Sequence, residues 1–278
     1  MDKNRLSYEQ FKSHLSNLSP DGNFTFGKNW IDYVNTRLSI GIVESHLSAL
    51  VSLYRSIGIS ASGKSIIDVG CGSGLSSLCF ALQEARKIIS IDIDDDSVSA
   101  ANELRSRAPQ KTQKEWTVYK SSVFDLPADA ERFDIVYSWG VLHHTGNVWE
   151  AIRKCRDLVA PGGLLHLALY RSGDHYSEHL RQKIRFADMD REEKCMLLYQ
   201  YLDSIFMSKG ASVFDFDERG MNRFHDALDW FGGFPYEVVD PDVLCAYLMD
   251  SGFKKLLFRD ASQGGCFTYV GRRDTTFD

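Results

Sequence analysis

The segment Ile66 to Gly74, IIDVGCGSG, constrains this chain more than any other stretch. An apolar run ends in Asp68, glycines recur at Gly70, Gly72 and Gly74, and helical spacing begins at once. A strand that turns on glycines into a helix lets backbone N–H groups come close to a ligand, which larger side chains would prevent. It also commits the chain to strand–helix–strand architecture. Short apolar runs at Ser65–Val69, Lys87–Ile91, Trp116–Tyr119, Phe133–Trp139 and Leu164–Tyr170 read as five strands. Helical spacing at Leu75–Leu82 and Val98–Arg107 fills the first two connections, and the third is irregular. In the fourth, Asn147 caps a helix with Glu150 in capping-box position, and the helix runs to about Val159, before a turn at Pro161–Gly162–Gly163.

The flanks extend this pattern. Ile31, Val34, Leu38, Ile42, Leu47, Leu50, Val51 and Tyr54 repeat near helical period, so one long helix or two shorter ones lead in, with Gly58 as the stop. Asp240–Pro241 is an N-cap with proline at the first helical position, Gly252 closes that helix, and strand-like runs follow at Phe253–Phe258 and Gly265–Val270. Between Tyr170 and Asp240 lie residues that the alternation does not need, far more than a usual loop holds. The expected fold is α/β: a Rossmann-like, seven-stranded, mostly parallel sheet with helices on both faces. N-terminal helices precede it, and a largely helical insertion follows the fifth strand. The corresponding segments are 1–60, a core at 61–170, an insertion at 171–239 over the carboxyl ends of the strands, and a closing unit at 240–278. Ligands bind at that edge in open α/β sheets.

Composition narrows the partners. A formal net charge of −6 over 278 residues disfavours a protein held mainly by nucleic-acid phosphates. Cys71, Cys79, Cys155, Cys195, Cys245 and Cys266 form no CxxC pair and have no histidines at metal-ligand spacing, so no metal site is expected. Such scattered thiols suit a reducing compartment. Without an apolar leader or a long apolar run, the expectation is a cytoplasmic protein with no membrane partner.

The glycine turn alone is a weak signal, and two details sharpen it. The dinucleotide fingerprint GxGxxG would place glycine where Leu75 stands, so the spacing favours S-adenosylmethionine (SAM) over NAD. Asp92 ends the second strand, roughly twenty residues on, where a carboxylate can accept both ribose hydroxyls. The acids Asp94, Asp95 and Asp96 that follow suit a cationic sulfonium better than a pyrophosphate, although Asp95 and Asp96 read as helix-start acids. IIDVGCGSG, SIDID, SSVFDLP, FDIVYSWGVLHH and LVAPGGLLHLALY together resemble, in order and spacing, the class I SAM-dependent methyltransferases from about Lys64 to Tyr170. FGKNW at Phe26–Trp30 and the segment RGMNRFHDALDWFGGFPYEVVDP look like a bacterial subfamily associated with glycan or secondary-metabolite pathways. The resemblance implies Asp68 and the turn Gly70, Gly72 and Gly74 at the methionyl end, and Asp92 with Ile93 at the ribose. It also implies Ser122 and Val123 at the adenine edge and Trp139 beside the cofactor. Many members carry an acid where Ser122 stands, so a carboxylate contact would have to come from elsewhere, Asp125 being one source.

For the acceptor side, His143 and His144 follow the fourth strand and are the candidate bases, against a role in capping or packing. Tyr170 ends the fifth strand as a second candidate or as an aromatic wall, and His166 reads as a core histidine. Arg219, His225 and Trp230 lie in a charged, aromatic segment that reads as an acceptor-binding lid, or as a helix Met221–Trp230 packed on the core. Trp30 or Tyr33 is a candidate for cation–π contact with the sulfonium, against plain packing. The amphipathic run Cys195–Phe206 reads as core or as a homodimer contact. The expected function is methyl transfer from SAM to a small-molecule acceptor, oxygen before nitrogen or carbon, on a sugar or secondary metabolite. Protein or RNA methylation and a non-catalytic SAM-binding subunit are the alternatives.

Overall fold

The computed structural model describes residues 7–18, 26–209, 223–261 and 265–276. Seven strands form one sheet: β1 (Ser65–Val69), β2 (Lys87–Asp92), β3 (Trp116–Lys120), β4 (Phe133–Trp139), β5 (Val159–Tyr170), β6 (Phe253–Arg259) and β7 (Cys266–Arg273). Their order is β3-β2-β1-β4-β5-β7-β6. β1 to β5 are mutually parallel, and β7 lies antiparallel between β5 and β6. This is the expected Rossmann-like sheet, seven-stranded and mostly parallel.

Side chains alternate between two cores, one on each face of the sheet. In β1, Ile66 joins the layer of Ile88, Ile135 and Leu164 under α3 (Ile40–Ser56) and α4 (Leu75–Leu82). Ile67 and Val69 join the opposite layer with Val136, Leu165 and Leu167, under α7 (Val148–Asp157) and α11 (Pro241–Asp250).

Two local outcomes settle or depart from the periodicity. The lead-in is two helices, α2 (Phe26–Thr36) and α3, because the Ser39 hydroxyl accepts the Ile42 N–H and starts a new helix. Pro161–Gly163 does not separate helix from strand. β5 already pairs at Val159 with Phe133, and the next pair is Leu164 with Ile135, so the Pro-Gly-Gly stretch bulges out within the strand. Asp240 caps α11 as expected, accepting the N–H groups of Asp242 and Val243 at 2.9 and 3.1 Å.

The residues after β5 form α8 (Tyr176–Asp188), α9 (Arg191–Lys209) and α10 (Arg223–Gly232). They share one apolar cluster with α1 (Tyr8–Leu18): Phe11 and Leu15 meet Phe186, Leu198, Leu202, Phe224 and Phe231. Helices far apart in the sequence therefore build a single cap. It is tied to the sheet edge by Val239, whose N–H donates to the Tyr170 carbonyl at 2.9 Å. On the other side α2 lies across the start of α5 (Asp95–Arg107). Gly27 allows this contact: a Cβ there would sit 1.7 Å from Asp94 Oδ1 and 2.6 Å from the Ser97 backbone nitrogen.

Gly27→Ala should therefore lower the melting temperature. The helix-propensity gain of about 1 kcal/mol is outweighed by an overpacking cost of about 1–3 kcal/mol, because the Ser97 backbone cannot rotate away. A thermal melt of the variant that matches or exceeds the wild type would show that α2 can shift off α5 freely.

Candidate functional site

The chain runs from β1 outward to β2 and β3, then returns to β4 and continues to β5 on the other side. The carboxyl ends of β1 and β4 thus flank the switch point, where diverging loops open a crevice. The loop after β1 turns on Gly70, Gly72 and Gly74, with φ of +73°, +52° and +79°. The N–H groups of Gly70 and Cys71 both donate to the Ile91 carbonyl, at 2.8 and 3.0 Å. A Cβ on Gly70 would lie 2.3 Å from a Val141 methyl in the loop after β4, so the two loops touch only because this residue has none. Above the turn, the Trp30 indole of α2 covers Gly72: a Cβ there would be 2.8 Å from Trp30 Nε1.

Asp92, at the tip of β2, accepts the Gly72 N–H at 3.0 Å on one oxygen and the Asp94 N–H at 3.1 Å on the other. Burial pushes its carboxyl above the usual range, and those backbone donors pull it back. Beside it Ile93 is 67% exposed, an apolar side chain held in the open at the crevice edge. Ser122 caps a short turn of 3₁₀ helix, Val123–Asp125, by accepting the Phe124 N–H at 3.2 Å. The Val123 side chain is buried in the core, so it can offer this edge only backbone, and Asp125 is exposed. Asp68 sits deeper. Its carboxylate accepts the Ser77 hydroxyl at 2.5 Å, Ser77 contacts Ser90 at 2.6 Å, and Trp116 Nε1 donates to Ser90 at 2.8 Å. Burial raises the Asp68 carboxyl to about 7.

Across the crevice, Trp139 ends β4 and stacks on Tyr137 with centroids 6.3 Å apart. His143 and His144 close a 3₁₀ turn, Leu142–His144, and backbone groups assign them opposite tautomers. The Tyr170 N–H donates to His143 Nδ1 at 3.1 Å, so the His143 proton resides on Nε2, which is buried with no partner among the described residues. His144 Nδ1 is 2.7 Å from the Pro235 carbonyl, which can only accept. His144 therefore donates from Nδ1 and keeps a lone pair on Nε2. Burial lowers both rings, His143 well below its ordinary value and His144 to about 4, so both are neutral at pH 7. Tyr170 packs on His143 at 3.8 Å and His144 at 5.5 Å between centroids.

The structure separates the remaining candidates. Trp230 and Tyr170 both face Lys183 of α8, whose ammonium lies 4.8 and 5.9 Å from their ring centroids. His225 is wholly buried between α10 and α2, with Nε2 2.9 Å from Asp32 Oδ2, so packing of the cap occupies it. Tyr33 is buried beside it, 5.7 Å between rings, and only Trp30 of that pair reaches the glycine turn. His166 is a core residue, with Nδ1 3.2 Å from the Tyr54 hydroxyl. Arg219 lies outside the described residues. Sequence reasoning did not single out Lys183. Its spacing from His179 and Phe186 on one face of α8 was the available signal, since Phe186 and Lys183 are the buried residues of that helix.

Among the described residues no helix is long and apolar enough to cross a membrane, and no three His, Cys, Asp or Glu residues cluster to hold a metal ion. Residues 67–167 match the family model of a methyltransferase domain. A ubiquinone biosynthesis O-methyltransferase of Coxiella burnetii is 32% identical over 107 residues, 38% of this chain and 44% of that protein. A ribosomal protein L11 methyltransferase of Edwardsiella ictaluri is 28% identical over 172 residues, 60% of this chain and 56% of that protein. The chain spans about two fifths of the length of the first curated relatives it matches. Among solved structures, magnesium protoporphyrin IX methyltransferase of Synechocystis PCC 6803 superposes with a TM-score of 0.54, 14% identity and coverage of 97% of this chain and 99% of that one. That likeness is one of fold.

The raised Asp68 carboxyl has a measurable sign. Between about pH 4 and 7 the folded chain keeps a proton there that the unfolded chain has lost, so this contribution to stability is full below pH 4 and declines as pH rises through about 7. Asp68→Asn should flatten the dependence of melting temperature on pH across that window. An unchanged slope would mean that Asp68 is ionised in the folded chain throughout.

Proposed function

We propose that this chain, a class I methyltransferase by its sheet and by the methyltransferase domain of residues 67–167, moves a methyl group from SAM to an oxygen atom of a small-molecule acceptor. One observation carries the reading. The Gly70–Gly74 turn with Asp92 and the neutral His144 ring stand on the two loops that meet at the Gly70–Val141 contact.

The residues present fit the adenosyl group. The glycine turn offers a surface without side chains, Asp92 supplies carboxylate oxygens for ribose hydroxyls, and the exposed Ile93 offers an apolar face. Ser122 and the backbone at Val123 supply the adenine edge, and Asp68 with the turn backs the methionyl end. When bound, SAM supplies an electrophilic methyl group on a sulfonium. The chain then has three tasks: to align the acceptor, to exclude water and to take the acceptor proton. Trp30 of α2 and Trp139 wall the crevice, and the cap formed by α1, α8, α9 and α10 lies beside it. His144 Nε2 is the proton acceptor, with the ring fixed by the Pro235 carbonyl. His143 supports it by packing between His144 and Tyr170.

A net charge of −6 and a covered, aromatic acceptor side favour a small molecule over RNA. Six free thiols suit a reducing compartment, so this reading puts the protein in the cytoplasm.

The test is S-adenosylhomocysteine (SAH) release from SAM over a panel of hydroxyl and carboxyl compounds, with calorimetry of SAH binding alongside. Asp92→Ala should weaken SAH binding by about 1–3 kcal/mol for lost charged hydrogen bonds. Undiminished affinity would remove the ribose assignment. His144→Ala should cut turnover about a hundredfold and leave SAH affinity intact. Because the His144 base stays unprotonated down to about 4, turnover should hold constant through the range near pH 6.5 where an ordinary histidine titrates. A fall in rate through that range would exclude this ring as the base. SAH binding without turnover on any acceptor would favour a binding subunit.

A further inference from the structure

Lys183 is 1% exposed, and its surroundings are unusual for a lysine. Its ammonium lies 4.8, 5.1 and 5.9 Å from the ring centroids of Trp230, Tyr236 and Tyr170. Among the described residues it hydrogen-bonds to one acceptor, the Trp230 carbonyl oxygen, and pairs with no carboxylate. Asp229 acts on it from farther away, with one oxygen taken up by Asn29 Nδ2 at 2.6 Å. A buried cation without a counter-ion is costly, and ring faces offset only part of that cost.

A second donor stands beside the Tyr170 ring. His143 packs 3.8 Å from Tyr170, the ring that also faces Lys183, and its protonated Nε2 has no acceptor among the described residues. The field of Lys183 reaches both His143 and His144. Around Tyr170, then, the protein has assembled an ammonium and an N–H that both lack an anion.

Resting on the methyl-transfer reading above, the geometry points to an acceptor that carries, apart from the hydroxyl whose proton His144 takes, an anionic oxygen group, a carboxylate or an ionised phenol, held against Lys183 Nζ and the His143 Nε2–H. The acceptor is thus bound as an anion, and Lys183 selects for that charge. Trp230 and Tyr236 form the aromatic walls that receive its apolar body, with Phe234 exposed between them in sequence. The groups facing Lys183 are Asp229 from α10, His143 and His144 from the turn after β4, Tyr170 from β5, Tyr236 from the segment before α11, and His179 from its own helix. Both histidines of the turn stay neutral at pH 7, so the ammonium is the charge that an anion meets.

The experiment measures benzoate, 4-nitrophenol in its ionised form, and uncharged benzamide against the SAH-loaded protein by calorimetry. An anion should bind at least about tenfold tighter than benzamide; a preference for benzoate assigns the anionic group as a carboxylate, and one for nitrophenolate assigns it as a phenolate. Lys183→Met should abolish that preference and keep SAH affinity, while Lys183→Arg should keep both. If the methionine variant does not fold, the wild type decides. Burial lowers the Lys183 ammonium to about 8, so benzoate affinity should fall about tenfold per pH unit above that value. Equal binding of anions and benzamide, no binding of any probe beside normal SAH binding, or benzoate affinity that stays level at high pH would overturn the assignment. Absence of SAH binding itself would instead overturn the methyl-transfer reading beneath it.

Discussion

The Asp92 carboxylate accepts the Gly72 N–H with one oxygen and the Asp94 N–H with the other, and so ties the loop after β1 to the tip of β2. Backbone donors pointed at one side chain hold the glycine turn in left-handed conformations that an unsupported loop would leave. The held turn is flat enough for Val141 to pack on Gly70 from one side and for Trp30 to lie on Gly72 from above. Asp94, in turn, caps α5 through the Ser97 N–H, and α2 rests on that cap through Gly27. The crevice, its cover and the helix that carries the cover all trace back to this carboxylate.

The acceptor side follows a different logic. Adjacent histidines on one short turn are separated in chemistry by two backbone groups. An amide donor from β5 makes His143 an Nε2–H donor, and a carbonyl acceptor at Pro235 makes His144 an Nε2 acceptor. One partner comes from the sheet and the other from the segment before α11. Nearby, the Glu237 N–H donates to the His143 carbonyl, and between α2 and α10 Asn29 donates to the His225 carbonyl and Asp229 while His225 meets Asp32.

Much of this molecule was legible in the sequence, for reasons that are local. Strands Ser65–Val69 and Phe133–Trp139 and helix Leu75–Leu82 have the bounds their apolar periodicity implies, because each buries one continuous run. Ser39 and Pro161–Gly163 were harder. A cap that splits a periodic stretch, and a proline–glycine run that bulges inside a strand, depend on pairing partners distant in the chain. The aromatic segment around His225 carried a composition that fits either a binding surface or a packed helix. Only the position of Asp32, nearly two hundred residues earlier, decides that His225 joins α10 to α2. For Lys183 the spacing with His179 and Phe186 marked only a shared helix face; its burial comes from Trp230 and Tyr236 on another segment.

By itself the sequence determined the seven-stranded α/β plan, the glycine turn and the acid at the tip of the second strand. Periodicity, capping residues and turn glycines act over a few residues and carry their meaning with them. The tertiary structure alone decided which histidine keeps a basic nitrogen, which aromatic covers the turn, and which lysine loses its solvent. Those outcomes rest on contacts between segments far apart in the chain, and on the low polarity that such contacts create once water is removed.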